Sequence, residues 1–281
     1  MEFRLNKAAI VSPLRYPGGK SRLARRIANS LPQFDEFREP FVGGGSVFLA
    51  AMARNPAAKF WINDLSLDVA VFWNQVSLDV GKVLDAVNLL QIAFPEGLSL
   101  YRHLKDSKFE DPAMLAARFF LLSRITFSGT IDSGGFSQEA FEKRLTRSAV
   151  ERLAALSSLA NFDLSVTNLD YESSLDAPGH KVTIFLDPPY ETPKNSLYGR
   201  WGDLHRNFDF NIFAAKVKRS PHPWVMTYGD NEQVRDTFLT SAGYTILPLQ
   251  FAYGMTNQGG IGSRQGREVL VTNSDLIGWY Q

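Results

Sequence analysis

Short apolar runs recur along the chain and predict the strands of a sheet. Seven of them, bounded by turn residues, lie at 37–41, 59–62, 163–167, 181–186, 224–228, 244–249 and 268–272. Apolar residues with helical spacing flank the first run, at 21–31 and 47–54. Strands that alternate with amphipathic helices favour a mostly parallel sheet covered by helices. The pattern therefore predicts an α/β fold.

The middle of the chain has a different pattern. Helical periodicity marks 83–92, 112–127 and 140–159, and no convincing strand interrupts it. The strand pattern returns afterwards, so we expect a discontinuous sheet domain formed by 1–71 and 160–281. A helical domain at 72–159 would be inserted into it.

Composition narrows the chemistry. The formal net charge is +1, so any nucleic-acid surface has to be local. The chain has no cysteine and only four scattered histidines, which excludes thiolate chemistry and disfavours a transition-metal site. No apolar run is long enough to span a bilayer and charges interrupt the N-terminal region, so we expect a cytoplasmic protein with no membrane partner.

The strand at 181–186 ends abruptly in Asp187-Pro188-Pro189-Tyr190. Open α/β sheets bind ligands at the carboxyl ends of their strands. A carboxylate and the carbonyls of rigid prolines would accept hydrogen bonds from an amino-bearing base, and a tyrosine ring could stack on it. The alternative is an ordinary turn, since Asp and Pro are also turn residues.

A second candidate site lies near the N-terminus. The strand at 37–41 leads into Gly43-Gly44-Gly45, and the next strand ends at Asn63-Asp64. A glycine loop with an acid roughly 20 positions later is typical of nucleoside sites in α/β folds. A nicotinamide-dependent dehydrogenase would also use such a loop, but the full G-x-G-x-x-G spacing is missing.

Four motifs in this order resemble the Dam-like family of DNA adenine methyltransferases, in its alpha arrangement. They are Tyr16-Pro17-Gly18-Gly19-Lys20, the stretch from Glu39 to Ser46, Asn63-Asp64, and Asp187-Pro188-Pro189-Tyr190. The resemblance implies a Rossmann-like methyltransferase sheet with an inserted helical target-recognition domain. It also implies transfer of a methyl group from S-adenosylmethionine to adenine N6 in double-stranded DNA.

The resemblance assigns roles to individual residues. It implies that S-adenosylmethionine is bound by Tyr16, Lys20, Phe41, Gly43, Gly45, Asp64 and Asp170. Tyr171, after Asp170, replaces the phenylalanine of the family's dipeptide. The catalytic set would be Asp187, Pro188, Pro189 and Tyr190, with Tyr190 stacking on the flipped adenine.

The family pattern also points to DNA contacts. These residues are Arg15, Arg124, Ser128, Thr130, Asp132 and Arg264. Asp132 stands where members that methylate GATC carry a guanine-reading arginine. An acid cannot donate to guanine, so we expect a target other than GATC. Arg15 could read guanine or clamp a phosphate, and both alternatives stay open.

Other functions remain as alternatives. The substrate could be the exocyclic amine of cytosine, although related cytosine enzymes mostly carry Ser in place of Asp187. It could also be adenine in RNA, or the chain could be a catalytically silent DNA-binding homologue. A partner restriction endonuclease and the oligomeric state are left open by the sequence.

Overall fold

A computed structural model describes residues 10–131, 134–189, 208–239, 243–250 and 267–279, without the side chains of Gln250 and Arg267. Its sheet confirms the α/β prediction and contains all seven expected strands. They are β1 (Glu36–Glu39), β2 (Lys59–Asn63), β3 (Leu164–Thr167), β4 (Val182–Leu186), β5 (Trp224–Gly229), β6 (Thr245–Gln250) and β7 (Arg267–Thr272).

The strand order places a topological switch at the centre of the sheet. The order is β3-β2-β1-β4-β5-β7-β6. The first five of these strands run parallel, whereas β7 is antiparallel to both β5 and β6. The chain moves outward from β1 to β3 and then returns to the other side of β1 as β4. Ligands bind outside the carboxyl ends of strands at such a point.

Helices cover both faces of the sheet in the described residues. They are α1 (Ala24–Ser30), α2 (Ser46–Arg54), α3 (Leu67–Ala93), α4 (Gly97–Asp106), α5 (Pro112–Ile125), α6 (Gln138–Arg144), α7 (Arg147–Ala154), α8 (Glu172–Leu175), α9 (Phe210–Arg219) and α10 (Glu232–Leu239). One core contains residues of α1 to α5 and Phe185, and the other contains Ile184, Leu186 and residues of α9 and α10. β4 is therefore buried on both faces.

The helical segment differs from the sequence prediction in two places. The stretch with helical periodicity at 140–159 is divided: α6 and α7 are separate, and a 3-10 helix follows at Ala155–Asn161. Thr146 between them is extended (φ −104°, ψ 161°), which an α-helix does not accommodate. Helix α3 begins before residue 72 and is interrupted at Asp79, whose carboxylate accepts from the Lys82 amide at 3.2 Å.

The described residues contain neither a membrane-spanning helix nor a cluster of metal-binding side chains. No helix there is long and apolar enough to cross a membrane. No group of three or more acidic or histidine side chains in the same residues could hold a metal ion.

Candidate active site

A cavity of about 400 Å³ lies at the carboxyl ends of the parallel strands, next to the switch between β1 and β4. This volume is in the range of small-molecule sites. The sequence-predicted residues that line it are Tyr16, Lys20, Phe41, Gly43, Gly45, Asp64, Asp170, Asp187 and Pro189. The fold thus brings both sequence motifs to one site, although they are more than 100 positions apart in the sequence.

At two positions of the glycine loop there is no room for a side chain. Gly43 and Gly45 have φ of +42° and +66°, in the left-handed region that favours glycine. A Cβ on Gly43 would lie 2.8 Å from the Tyr16 ring, and one on Gly45 would lie 2.3 Å from the Trp73 ring. The Trp73 indole N–H donates to the Gly43 carbonyl at 2.9 Å. The loop is therefore fixed against α3, with bare backbone facing the cavity.

Replacing Gly45 by alanine is expected to lower the free energy of unfolding by about 3 kcal/mol, because left-handed backbone and overpacking both contribute. Gly278→Ala is the matched control, since Gly278 has a φ of +62° but nothing within 4 Å of its Cβ position. That variant should lose only about 1 kcal/mol. Urea denaturation measures both, and equal losses would contradict the proposed clash with Trp73.

Asp64 is held at the end of β2 by two backbone amides. Gly43 N–H donates to Oδ2 and Ser66 N–H donates to Oδ1, each at 2.9 Å. Burial raises the pKa of Asp64 to about 6, although both hydrogen bonds lower it. The carboxylate therefore connects the glycine loop to the following strand while it lines the cavity. This is the location expected of an acid that accepts from ribose hydroxyls.

Asp187 follows β4 and is held by side chains distant in sequence. Lys20 Nζ donates to Oδ1 at 2.7 Å and to Oδ2 at 2.9 Å, and the Thr227 hydroxyl donates to Oδ1 at 2.7 Å. Lys20 Nζ also lies 3.7 Å from Glu268 Oε2. Burial raises the pKa of Asp187 and Glu268 adds to the rise, whereas Lys20 and Thr227 lower it. The result is a largely buried carboxylate with fixed orientation.

Glu39, at the end of β1, is a cavity-lining residue that the sequence reasoning did not select. It is 3% exposed, and its Oε2 has no hydrogen-bond partner among the described residues. Burial and then the charge of Asp187 raise its pKa well above the usual range, while a hydrogen bond from the Phe48 amide lowers it. The sequence could have pointed to Glu39, because a charged residue in a strand directly before a glycine loop is a candidate for the site.

The rim near β3 is aromatic. The Phe41 and Tyr171 rings stack with centroids 5.4 Å apart. Burial raises the pKa of Tyr171 to about 12, so the phenol stays neutral. Asp170 is exposed, and its Oδ1 accepts from the Glu172 amide at 3.0 Å. The resemblance assigns Asp170 to the adenine ring of the cofactor, and this assignment stays a prediction.

The structure describes two of the three remaining residues of the predicted catalytic set. Pro189 lines the cavity, whereas Pro188 is buried and is not part of the described lining. The acceptor role of the Pro188 carbonyl stays a prediction. Tyr190, Asp132 and Arg264 lie outside the described residues.

Arg124 is in a different environment from the one expected of a DNA contact. It is 5% exposed, its Nε donates to the Arg144 carbonyl at 2.7 Å, and its Nη1 donates to the Pro13 carbonyl at 3.1 Å. Burial, and after it the charges of Arg152, Arg15 and Arg144, lower its pKa to about 10. The side chain therefore connects two segments of backbone.

Two further predicted DNA contacts, Ser128 and Thr130, flank Gly129 near Arg15. Ser128 is exposed with a φ of +54°, and the Thr130 hydroxyl is turned inward to the Phe127 carbonyl at 2.7 Å. Gly129 lies against Arg15, because a Cβ there would be 2.3 Å from the Arg15 carbonyl oxygen. The loop and the half-buried Arg15 thus form one surface.

The chain is similar to a family of methyltransferases and to several of its individual relatives. The family model of the D12 class N6 adenine-specific DNA methyltransferase matches residues 16–255. The chain is 25% identical over 190 residues to the DNA N-6-adenine-methyltransferase of Escherichia phage P1, which covers 66% of this chain and 24% of that protein. It is 22% identical over 228 residues to the type II methyltransferase M.MjaIII of Methanocaldococcus jannaschii, covering 73% and 78% respectively. The DNA adenine methylase of Escherichia coli K12 is 28% identical over 118 residues, 41% of each chain.

Proposed function

The chain belongs to the D12 class of N6 adenine-specific DNA methyltransferases, and from that premise we propose that it transfers a methyl group from S-adenosylmethionine to the N6 amino group of adenine in double-stranded DNA. The proposal rests on the Asp187 carboxylate, which is largely buried and is held in a fixed orientation beside a cavity of nucleoside size.

The cavity fits S-adenosylmethionine by shape and charge. Bare backbone at Gly43 and Gly45 permits close approach, and Asp64 supplies a carboxylate for ribose hydroxyls. Acidic side chains outnumber basic ones in the described lining, and Glu39 adds a buried carboxyl group. When bound, S-adenosylmethionine supplies an electrophilic methyl group on a positively charged sulfur. An acidic lining favours such a cation over an anionic ligand.

The role proposed for Asp187 follows from the chemistry of the amine. The exocyclic nitrogen of adenine is a poor nucleophile because its lone pair is delocalised into the ring. A fixed carboxylate that accepts an N–H localises this lone pair and stabilises the positive charge that develops on nitrogen during attack. The excess proton leaves afterwards, since the amine is strongly acidic while it is cationic. We propose that Tyr190 stacks on the flipped base.

Methyl transfer to defined nucleic acids tests this function. The protein is incubated with S-adenosylmethionine labelled in the methyl group and with duplex DNA, single-stranded DNA or RNA of the same sequence. We expect label in the duplex DNA. Label mainly in RNA, or binding to DNA without any transfer, would contradict the proposal and favour the alternative substrates or a silent homologue.

We propose that segment 72–159 recognises the target and that arginines at its edge contact DNA phosphates. Arg124 donates hydrogen bonds to the carbonyls of Pro13 and Arg144, so residues 13–15 lie next to the end of α6. Arg144 is exposed and Arg152 is half-buried. Their positive charges lie near Arg124, lowering its pKa. Grouped guanidinium groups suit phosphate oxygens, with Arg124 positioning the group.

Removing Arg144 and Arg152 together by alanine substitution is expected to weaken binding to all DNA sequences. The slope of log affinity against log salt concentration should become shallower by roughly 2, because each lost phosphate contact contributes about 0.9. Arg147→Ala is the control, as the Arg147 side chain is 93% exposed and pairs with Glu151. Fluorescence anisotropy across a salt series measures the slope, and an unchanged slope in the double variant would refute the phosphate role.

We further propose a recognition sequence other than GATC, since Asp132 replaces the expected arginine and would accept from a cytosine amino group. Sequencing that detects modified bases in treated plasmid DNA identifies the site. Finding GATC as the methylated sequence would exclude this proposal without affecting the proposed reaction.

A further inference from the structure

The two oxygens of Asp187 have different surroundings. Oδ1 accepts two hydrogen bonds, from Lys20 Nζ and from the Thr227 hydroxyl, both at 2.7 Å. Oδ2 accepts one, from Lys20 Nζ at 2.9 Å. A carboxylate offers about two acceptor sites on each oxygen. Among the described residues, the acceptor capacity of Oδ1 is therefore filled, whereas Oδ2 retains one site.

The sheet itself brings Thr227 to this position. Strands β4 and β5 are parallel neighbours in which Leu186 pairs with Met226, so Asp187 and Thr227 are the next residues along each strand. Thr227 is fully buried. On its other side, β5 pairs with the antiparallel β7, which contributes the Glu268 that lies near Lys20. A buried hydroxyl on a central strand is a rigid donor.

From this geometry we propose that Thr227 is a positioning residue that directs Oδ2 of Asp187 to the target amine. The inference rests on the proposed methyl transfer and names the accepting atom within it. By occupying Oδ1, Thr227 fixes the rotation of the carboxylate about its terminal bond. The Asp187 side chain is 18% exposed and lines the cavity, so its remaining acceptor site can reach a bound base.

Thr227→Val tests the role, because valine keeps the shape of threonine and removes the hydroxyl. We expect the single-turnover rate of methyl transfer to fall about tenfold to a hundredfold, as for loss of one hydrogen bond to a charged group. The affinities for cofactor and DNA should change less than about twofold, since Thr227 is fully buried and is not among the described residues that line the cavity. Thr227→Ser restores the hydroxyl and should recover most of the rate.

Thr183→Val is the matched control. Thr183 is also fully buried in a central strand, β4, but its hydroxyl has no hydrogen-bond partner in the described part of the chain. Its removal should leave the rate unchanged. A Thr227→Val enzyme as fast as wild type, or a Thr227→Ser enzyme as slow as the valine variant, would overturn the inference. A wild-type protein that transfers no methyl group would instead refute the proposed function on which the inference rests.

A second measurement does not depend on activity or on DNA. Carbon-13 NMR of labelled aspartate side chains follows the titration of Asp187 in the wild-type and Thr227→Val proteins. The Thr227 hydrogen bond lowers the pKa of Asp187, so its removal should raise that pKa. An unchanged titration in a folded valine variant would contradict the proposed contact.

Discussion

The Asp187→Asn variant is expected to transfer methyl groups about a hundredfold to a thousandfold more slowly than the wild-type protein, the usual effect of removing one preorganised electrostatic group. Asparagine keeps the size of aspartate and can still accept from the Thr227 hydroxyl. Its amide NH₂ would replace one carboxylate oxygen, so a donor would face the donor N–H of adenine. The negative charge that stabilises the cationic nitrogen would also be lost.

Single-turnover kinetics at saturating cofactor measure this effect without interference from product release. Asp35→Asn is a suitable control, because Asp35 directly precedes β1 and so lies at the amino end of that strand, opposite the cavity. Its side chain is 53% exposed. Cofactor binding should persist in both variants. If Asp187→Asn stayed within about tenfold of wild type, the carboxylate would not be the group that activates the amine.

Replacing Lys20 by methionine should have the next largest effect. The Lys20 side chain is 4% exposed and bonds both oxygens of Asp187, with Glu268 at 3.7 Å. Its removal leaves the buried Glu268 and the largely buried Asp187 without this cation, a change that costs about 3–5 kcal/mol of stability in comparable pairs. Without Lys20 the pKa of Asp187 rises, so a larger fraction of the carboxylate is protonated. Protonation removes the acceptor, and we expect the rate to fall about a hundredfold.

The sign of the pH dependence follows from the direction of the shift. Burial and Glu268 already raise the pKa of Asp187, and Lys20 lowers it, so Lys20→Met raises the pKa further. The variant should therefore recover activity as pH rises, and its stability deficit should shrink as pH falls and Asp187 becomes neutral. Rate profiles at saturating cofactor and urea denaturation at several pH values measure both. A uniform loss of activity at every pH would contradict the role of Lys20 in ionising Asp187.

The sheet was predictable because strand and helix periods alternate along the chain. All seven apolar runs form strands within one or two residues of the expected bounds. The break between α6 and α7 was missed because the apolar spacing continues through Leu145 and Thr146, while the backbone of Thr146 is extended. The antiparallel addition of β7 was also missed, since periodicity does not specify which strands pair.

The site residues that belong to contiguous sequence motifs were predictable. Those that reach the site only through strand pairing or tertiary packing were not. The glycine loop, Asp64 and Asp187 are contiguous signals, and the fold brings them to one cavity. Thr227 resembles any strand threonine until the pairing of β4 with β5 brings it to Asp187. Arg124 resembles a surface arginine in the sequence, yet tertiary packing buries it against two backbone carbonyls.

Identifying the methylated nucleoside tests the central claim most directly. Unmethylated plasmid DNA is incubated with the protein and with S-adenosylmethionine carrying a trideuterated methyl group, and the nucleosides are then analysed by mass spectrometry. The Asp187 site predicts labelled N6-methyladenine as the product, strongly diminished with Asp187→Asn. Labelled N4-methylcytosine, or equal amounts of labelled adenine from both proteins, would contradict it.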